Sequence, residues 1–335
     1  MTVCEKGGEE GVIPLRVLVT GSRGKSTVTR LIHRALVACG FRAYGRITGV
    51  VPRTLTPGGE RPILRGRRAH VQEMAWWLDE LPSDAQAVVM ENSAVSGELQ
   101  PLAARWLRPT VTVLTNVRPD HQDVWGPGRS GAADALCRGI PFGGTVVWAE
   151  EAARCLPLRV FLQDRQCDLT IARPVEGMAS HLAVNAGLAL EVCRLSGLDD
   201  VSVLPALRSL PPDVADFSVL RVGDGQLAFG FSANDVMTTQ ELFESLSWPR
   251  EDVTVLFNHR GDRPQRLREF LPWIGDERWK ERLVVGDRPF VVGAPSYRPL
   301  RSEWDLADLI SRSGRVFGCG NVVHGFPLLL RLSCL

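Results

Sequence analysis

An α/β fold with a mostly parallel sheet, divided into two domains, is predicted by three features of the chain. Apolar, strand-like runs alternate with amphipathic helical stretches from end to end. The first run, 16–20, leads through the glycine-rich turn Gly21-Ser22-Arg23-Gly24-Lys25-Ser26-Thr27 into a helix. A stiff diproline, Pro211-Pro212, closes a long helical region, and a new strand–helix series begins beyond it. The 335 residues suit two domains, read as 14–210 and 211–335.

The elements follow in order. After strand 16–20, residues 27–37 place Val28, Leu31, Ile32, Ala35 and Leu36 on one helical face. Helices 71–81, 97–106, 131–138 and 180–196 are interleaved with strands 87–90, 111–114 and 145–148. In the second domain, strands 227–231, 253–257, 283–285 and 315–318 accompany a helix at 238–247. The Gly- and Pro-rich stretches 51–62 and 125–131 read as connectors, and the short apolar segment 326–335 as a packed terminal element.

Composition excludes several function classes. A net charge of +1 gives no electrostatic basis for nucleic-acid binding. The eight cysteines form no C-x-x-C pair, so neither a zinc site nor a disulfide framework is signalled, and a reduced cytoplasmic setting is the simplest account. The polar, acidic residues 1–11 show no signal-peptide pattern. No apolar stretch approaches the roughly 18–20 residues that span a bilayer.

Only three of the 39 basic residues are lysine, and one of them, Lys25, lies in the glycine-rich turn. A retained lysine in an arginine-rich chain fits a phosphate-binding loop: glycines let backbone N–H groups crowd phosphate oxygens, and a compact ammonium reaches the terminal phosphates. Ser26 then offers a hydroxyl to a magnesium ion, and the helix aims its N-terminal dipole at the phosphate. The spacing is G-x-x-G-K-S, because Val19 stands where the longer Walker pattern has its first glycine.

Further polar groups fall at strand ends, the edge where α/β sheets bind ligands. Glu91 closes the run Ala87-Val88-Val89-Met90 and can hold a metal beside Ser26; in isolation it reads equally well as a solvent-facing strand end. Thr115-Asn116-Val117-Arg118-Pro119-Asp120-His121-Gln122-Asp123 gathers acids and a histidine after strand 111–114. His181 and Asn185 share a helix face at i, i+4, from which an amide can lie against a purine. In the second domain Asn234-Asp235, then Asn258-His259-Arg260-Gly261-Asp262-Arg263, then Gly318-Cys319-Gly320-Asn321 each follow a strand. The arginines at 61–68 form a short basic patch, either a solvated loop face or a grip for an anionic substrate.

Taken in sequence, the G-x-x-G-K-S-T loop, the strand-ending glutamate, T-N-x-x-x-D-H-x-D and H-x-x-x-N resemble the Mur ligase superfamily. Within it the chain is most similar to the catalytic ligase subunits of poly-γ-glutamate synthases. That similarity is carried by Gly21 to Leu31 (including Arg23), Thr48-Gly49, Asp120 to Pro127, Ala233-Asn234-Asp235, Arg260-Gly261-Asp262-Arg263 and Gly318 to Asn321. The resemblance implies a P-loop-type central ATPase domain, followed by a smaller Rossmann-like C-terminal domain. It implies an ATP-dependent carboxylate–amine ligase that forms an acyl phosphate and releases ADP and phosphate. Lys25 and the loop residues Gly21, Ser22, Arg23, Gly24, Ser26 and Thr27 would hold the phosphates. Ser26 and Glu91 would hold a first magnesium and His121 a second, while Asn185 would contact adenine. Asn234, Asp235, Arg260 and Arg263 would act on phosphate or acyl phosphate from the C-terminal domain, whose closure would exclude water.

Two departures from the family pattern sharpen this expectation. No lysine occurs between Lys25 and Lys280, so the carbamylated lysine that many murein ligases use for the second magnesium has no counterpart; Asp120 or Asp123 would substitute. No hydrophobic N-terminal segment and no room for a UDP-sugar domain precede the loop. The expected enzyme is therefore a soluble ligase of a small carboxylate and amine. The alternative is a poly-γ-glutamate synthase subunit recruited by a membrane protein. An inactive nucleotide-binding interaction protein would show erosion of the loop, Glu91 or the D-H-x-D segment, and all three are intact.

Overall fold

Leu15–Thr20 (β1) is a run of leucine, valine and threonine whose last four residues are buried, as in a strand covered on both faces. Lys25–Ala38 (α1) follows and buries Val28, Leu31, Ile32, Ala35 and Leu36, the spacing of a core-facing helix. The computed structural model describes residues 12–65, 69–233, 235–322 and 325–334, with the backbone alone at 122–123 and 180–181. Within it the chain divides into two units, one ending at Leu210 and the other beginning at Pro211.

The first unit continues through β2 (Ala43–Ile47), β3 (Arg53–Thr56), β4 (Gly59–Pro62), α2 (Glu73–Asp79), β5 (Ala87–Glu91), α3 (Gln100–Leu107) and β6 (Val111–Leu114). It is completed by α4 (Gln122–Trp125), α5 (Gly128–Cys137), β7 (Thr145–Ala149), α6 (Glu150–Ala153), α7 (Leu156–Asp164), β8 (Asp168–Ala172), α8 (Ser180–Leu195) and α9 (Asp200–Arg208). The strands form one sheet in the order β4-β3-β2-β5-β1-β6-β7-β8. Pairing from β2 to β8 is parallel, while β3 and β4 add an antiparallel hairpin at the edge.

Strand alternation builds the two faces. Val17, Val19, Ala87, Val89, Val111 and Val113 point into a core shared with α1, α8 and α9. Their neighbours Leu18, Val88 and Met90 pack on the opposite face against Met74, Trp77, Ala103 and Leu107 of α2 and α3. Such two-sided burial is why the central strands read as unbroken apolar runs. The stretch 51–62 is not the connector its Gly and Pro content suggests, because it contains the β3–β4 hairpin. An edge strand tolerates Pro62, since its N–H need not join a ladder.

The second unit comprises β9 (Val219–Val222), β10 (Gly225–Phe229), α10 (Val236–Glu244), β11 (Val253–His259), α11 (Pro264–Ile274), β12 (Glu281–Gly286), β13 (Ser296–Tyr297), α12 (Glu303–Ser313), β14 (Arg315–Gly320) and α13 (Pro327–Ser333). Its sheet runs β13-β12-β11-β14-β10-β9, parallel except for β9. Phe243, Phe257, Phe270, Trp273, Trp279 and Phe317 supply an aromatic-rich core. The mixed α/β class with large, mostly parallel sheets is thus as expected from the sequence.

His33 of α1 places Nε2 3.0 Å from the Ala43 carbonyl oxygen at the start of β2. Burial pushes its imidazole down to about 4 from an ordinary 6.5. Between those values the unfolded chain takes up a proton that the folded one refuses, so stability is full above about pH 6.5 and declines as pH falls toward 4. Chemical denaturation at several pH values should show this decline in the parent protein and a shallower one in His33→Gln. Identical profiles would mean that the imidazole is not held neutral.

Candidate active site

β1 lies between β5 and β6, so the chain leaves it toward one side of the sheet and later returns on the other. The carboxyl ends of these strands border a topological switch point, where α/β sheets bind ligands. The β1–α1 loop occupies it. Gly21 has φ 128°, and a Cβ there would stand 2.1 Å from Thr115 Oγ1. Gly24 caps α1 in the left-handed conformation without a side-chain hydrogen bond.

The end of β6 laces this loop in place. Ser22 N donates to Asn116 O at 3.1 Å, and Arg23 N donates to Asn116 Oδ1 at 3.0 Å. Thr115 Oγ1 and Asn116 Nδ2 both donate to the Arg23 carbonyl, at 2.5 and 3.2 Å. Ser22 Oγ donates to Arg118 O at 2.8 Å. These contacts with the end of β6 hold the shape of the loop's surface.

Lys25 bends over that surface and donates Nζ to Gly21 O at 2.7 Å. Burial pulls its ammonium below the usual lysine range, while Glu91 and Asp120 act in the opposite direction. Next to it, Ser26 Oγ donates to Glu91 Oε2 at 2.7 Å. The other carboxylate oxygen, Oε1, accepts from both the backbone N–H and the hydroxyl of Thr48. Glu91 is only 2% exposed, so it is held between two hydroxyl residues and does not face solvent.

Asp120 pairs with Arg23 at 3.0 Å. Burial works against its charge, but Arg23, His121 and Lys25 together keep its carboxyl below the usual range. His121 follows with φ 43°, a left-handed conformation uncommon for a residue with a side chain, and its ring meets Trp125 edge-on at 5.3 Å. Asn185 lies against the loop: a Cβ on Gly24 would stand 3.0 Å from its Oδ1. The first unit thus gathers Lys25, Ser26, Glu91, Asp120 and Asn185 around one loop, with His121 beside Asp120. Among the described residues, no three His, Cys, Asp or Glu side chains form a metal-binding group.

The second unit presents its polar residues after β10, β11 and β14, at the carboxyl edge of its own sheet. Asp235 caps α10, accepting from Thr238 N and Thr238 Oγ1, each at 2.8 Å. Arg260 makes a two-pronged pair with Asp262 at 3.0 and 2.7 Å. Arg263 stands at the N-cap of α11. Asn321 donates Nδ2 to Asn258 O at 2.9 Å, tying β14 to β11. Asn234 and the side chains of Asp123 and His181 lie outside the described residues.

Sequence reasoning assigned no role to Thr48 and did not see that Thr115 and Asn116 brace the loop. Each follows a strand end, which was the available signal. What was hidden is that β2 neighbours β5 and that β1 neighbours β6.

Comparison with known proteins gives the family of the chain. Residues 19–129 match the Mur ligase middle domain, and residues 219–333 match the poly-gamma-glutamate synthase CapB C-terminal domain. PGA synthase CapB of Bacillus subtilis is 30% identical over 301 residues, covering 82% of this chain and 75% of that protein. Among solved structures, MurF from Acinetobacter baumannii superposes with TM-score 0.69 at 14% identity, covering 96% of this chain and 77% of that one. The folylpolyglutamate synthase/dihydrofolate synthase of Yersinia pestis, complexed with AMPPNP and a manganese ion, gives 0.68 at 16% identity, covering 96% and 88%. The two family matches and the similarity to CapB make this chain a Mur-type, ATP-dependent amide ligase. Within that class, the chain belongs to the CapB family of poly-γ-glutamate synthases.

Gly21→Ala tests the loop. The strained φ and the approach to Thr115 should weaken ATP binding by about five- to 150-fold, as a cost of roughly 1–3 kcal/mol implies. Calorimetric titration with ATP reads this directly, and an unchanged affinity would show that the loop has another shape when it binds.

Proposed function

We propose that this chain condenses a carboxylate with an amine through an acyl phosphate, with glutamate or a glutamyl chain as the acid. The observation that carries this reading is the oxygen set Ser26–Glu91–Thr48 beside Lys25 on the laced loop. Membership of the CapB family supports glutamate as the substrate class.

Lys25 exchanges its present bonds to Gly21 and Ser22 carbonyls for β- and γ-phosphate oxygens, whose charge favours its protonated form. Loop and α1 N-terminal amides take further phosphate oxygens. The γ-phosphoryl group of ATP passes to a carboxylate oxygen of the acid as its bond to the bridging oxygen of the β-phosphate breaks and ADP leaves. The amine then attacks the carbonyl carbon, the C–O bond to phosphate breaks, and the amine loses a proton. Positioning and charge neutralisation supply most of the acceleration.

The residues fit a hard divalent cation such as magnesium. Ser26 and Glu91 present oxygen donors, and a Cβ on Gly49 would stand 2.7 Å from Ser26 Oγ, so the missing side chain keeps that hydroxyl approachable. When bound, the ion neutralises phosphate charge. His121 is the candidate donor for a second ion, and Asn185 the adenine contact. A need for ATP supports a cytoplasmic setting for this reaction. No described helix is long and apolar enough to cross a membrane.

A second reading, favoured by the relatives' names, is repeated condensation into a polymer with the help of a membrane protein. Mass spectrometry of products from ATP, magnesium and glutamate separates the two: a ladder of γ-glutamyl species assigns polymer synthesis, a single amide assigns one condensation.

Lys25→Ala and His121→Ala should each lower amine-dependent ADP release by about 100-fold or more, the scale expected when a group stabilising transition-state charge is lost. Near-parental turnover in either variant would remove that residue from the mechanism.

A further inference from the structure

The first unit contains a second feature that the reaction site does not use. A cleft of about 900 Å³ opens between β2, the β3–β4 hairpin and α2. At its lining lies Arg46, only 1% exposed. Its Nη2 donates to Glu73 Oε2 at 3.0 Å, while Nε and Nη1 are buried without a hydrogen-bond partner. The same Glu73 oxygen also accepts from Arg65 Nε and Nη2, at 3.0 and 2.8 Å. Two guanidinium groups thus share one carboxylate, and the cluster is short of acceptors. Buried polar groups are rarely left so in a native protein unless a ligand or water completes them.

The missing partner can be identified by its chemistry. Arginine forks match carboxylates in a two-pronged geometry. Arg65 is 23% exposed and can be reached from the cleft, and Arg61 adds a further cation at its rim. The cleft is also lined by Trp76, 56% exposed, and Leu64, 90% exposed, which suit methylene stems between charges. Its volume exceeds the needs of a single amino acid. Arg46 stands two residues before Thr48, which holds Glu91, and the Glu91 charge acts on Arg46. The cleft therefore adjoins the phosphate end of the reaction site.

We propose that this cleft binds a chain of carboxylates, the distal portion of a glutamyl substrate whose reacting end lies at the phosphate loop. A ligand carboxylate takes Arg65 and leaves Glu73 Oε2 to Arg46, while Glu73 Oε1 keeps the His70 N–H that it accepts at 3.0 Å. The proposal rests on the ligase reading above and gives the glutamyl chain of that reading a binding place on the fold.

Calorimetric titration of the full chain with tetra-γ-glutamate, without ATP, provides the test. The parent protein should bind it, and Arg65→Ala should bind it about tenfold or more weakly. Arg65→Lys should recover part of the loss, and unchanged ATP affinity would report an intact fold. Arg46→Ala is avoided because removing a buried ion-pair partner can unfold the unit. Equal binding by parent and Arg65→Ala, or no binding by the parent, overturns the proposal. If ADP release with glutamate persists in that case, the cleft assignment alone has failed. If tetra-γ-glutamate binds through Arg65 but no acid–amine pair releases ADP, the cleft stands and the ligase reading has failed.

Discussion

The grip of β6 on the β1–α1 loop is the constraint on which the site depends. A loop that is to bind phosphate, as proposed for this one, must hold its amides toward one point before any phosphate arrives. Thr115 and Asn116 resolve this from behind, binding the Ser22 and Arg23 backbone from the neighbouring strand end. Lys25 meanwhile satisfies itself on loop carbonyls that phosphate oxygens can replace. Preorganisation of this kind lets charge stabilisation act without reorganisation during the reaction.

The same logic extends sideways through the sheet. Ser26 lies in the first turn of α1, Glu91 ends β5 and Thr48 follows β2, so three elements converge on one carboxylate. Their meeting is fixed by parallel pairing of β2 with β5 and of β5 with β1, in turn held by apolar residues buried on both faces. Errors in register would move Glu91 by a residue and turn its side chain to the other face. Core packing is thus what gives the polar cluster its precision.

Much of this was legible in the chain. The strand preceding Lys25, the helix following it and Glu91 at a strand end are local patterns, and periodicity reveals them. The β3–β4 hairpin was not legible, because its prolines and glycines indicate turns and its pairing to β2 is a tertiary property. Nor was the use of Thr48, Thr115 and Asn116. Hydroxyl and amide residues after strands are ordinary turn formers, and only the lateral strand order shows which neighbour each one reaches. Arg46 gave no signal either, since a lone arginine within an apolar strand does not disclose that two of its nitrogens lack acceptors.

Carboxylate activation is the chemical centre of this account, and isotope transfer tests it most directly. Glutamate labelled with 18O in its carboxylates is incubated with ATP, magnesium and the protein, and the released phosphate is examined by mass spectrometry. An acyl phosphate requires one labelled oxygen to leave with the phosphate as the amine displaces it, so label in phosphate in proportion to amide formed is the predicted result. Amide formed with unlabelled phosphate would contradict the account.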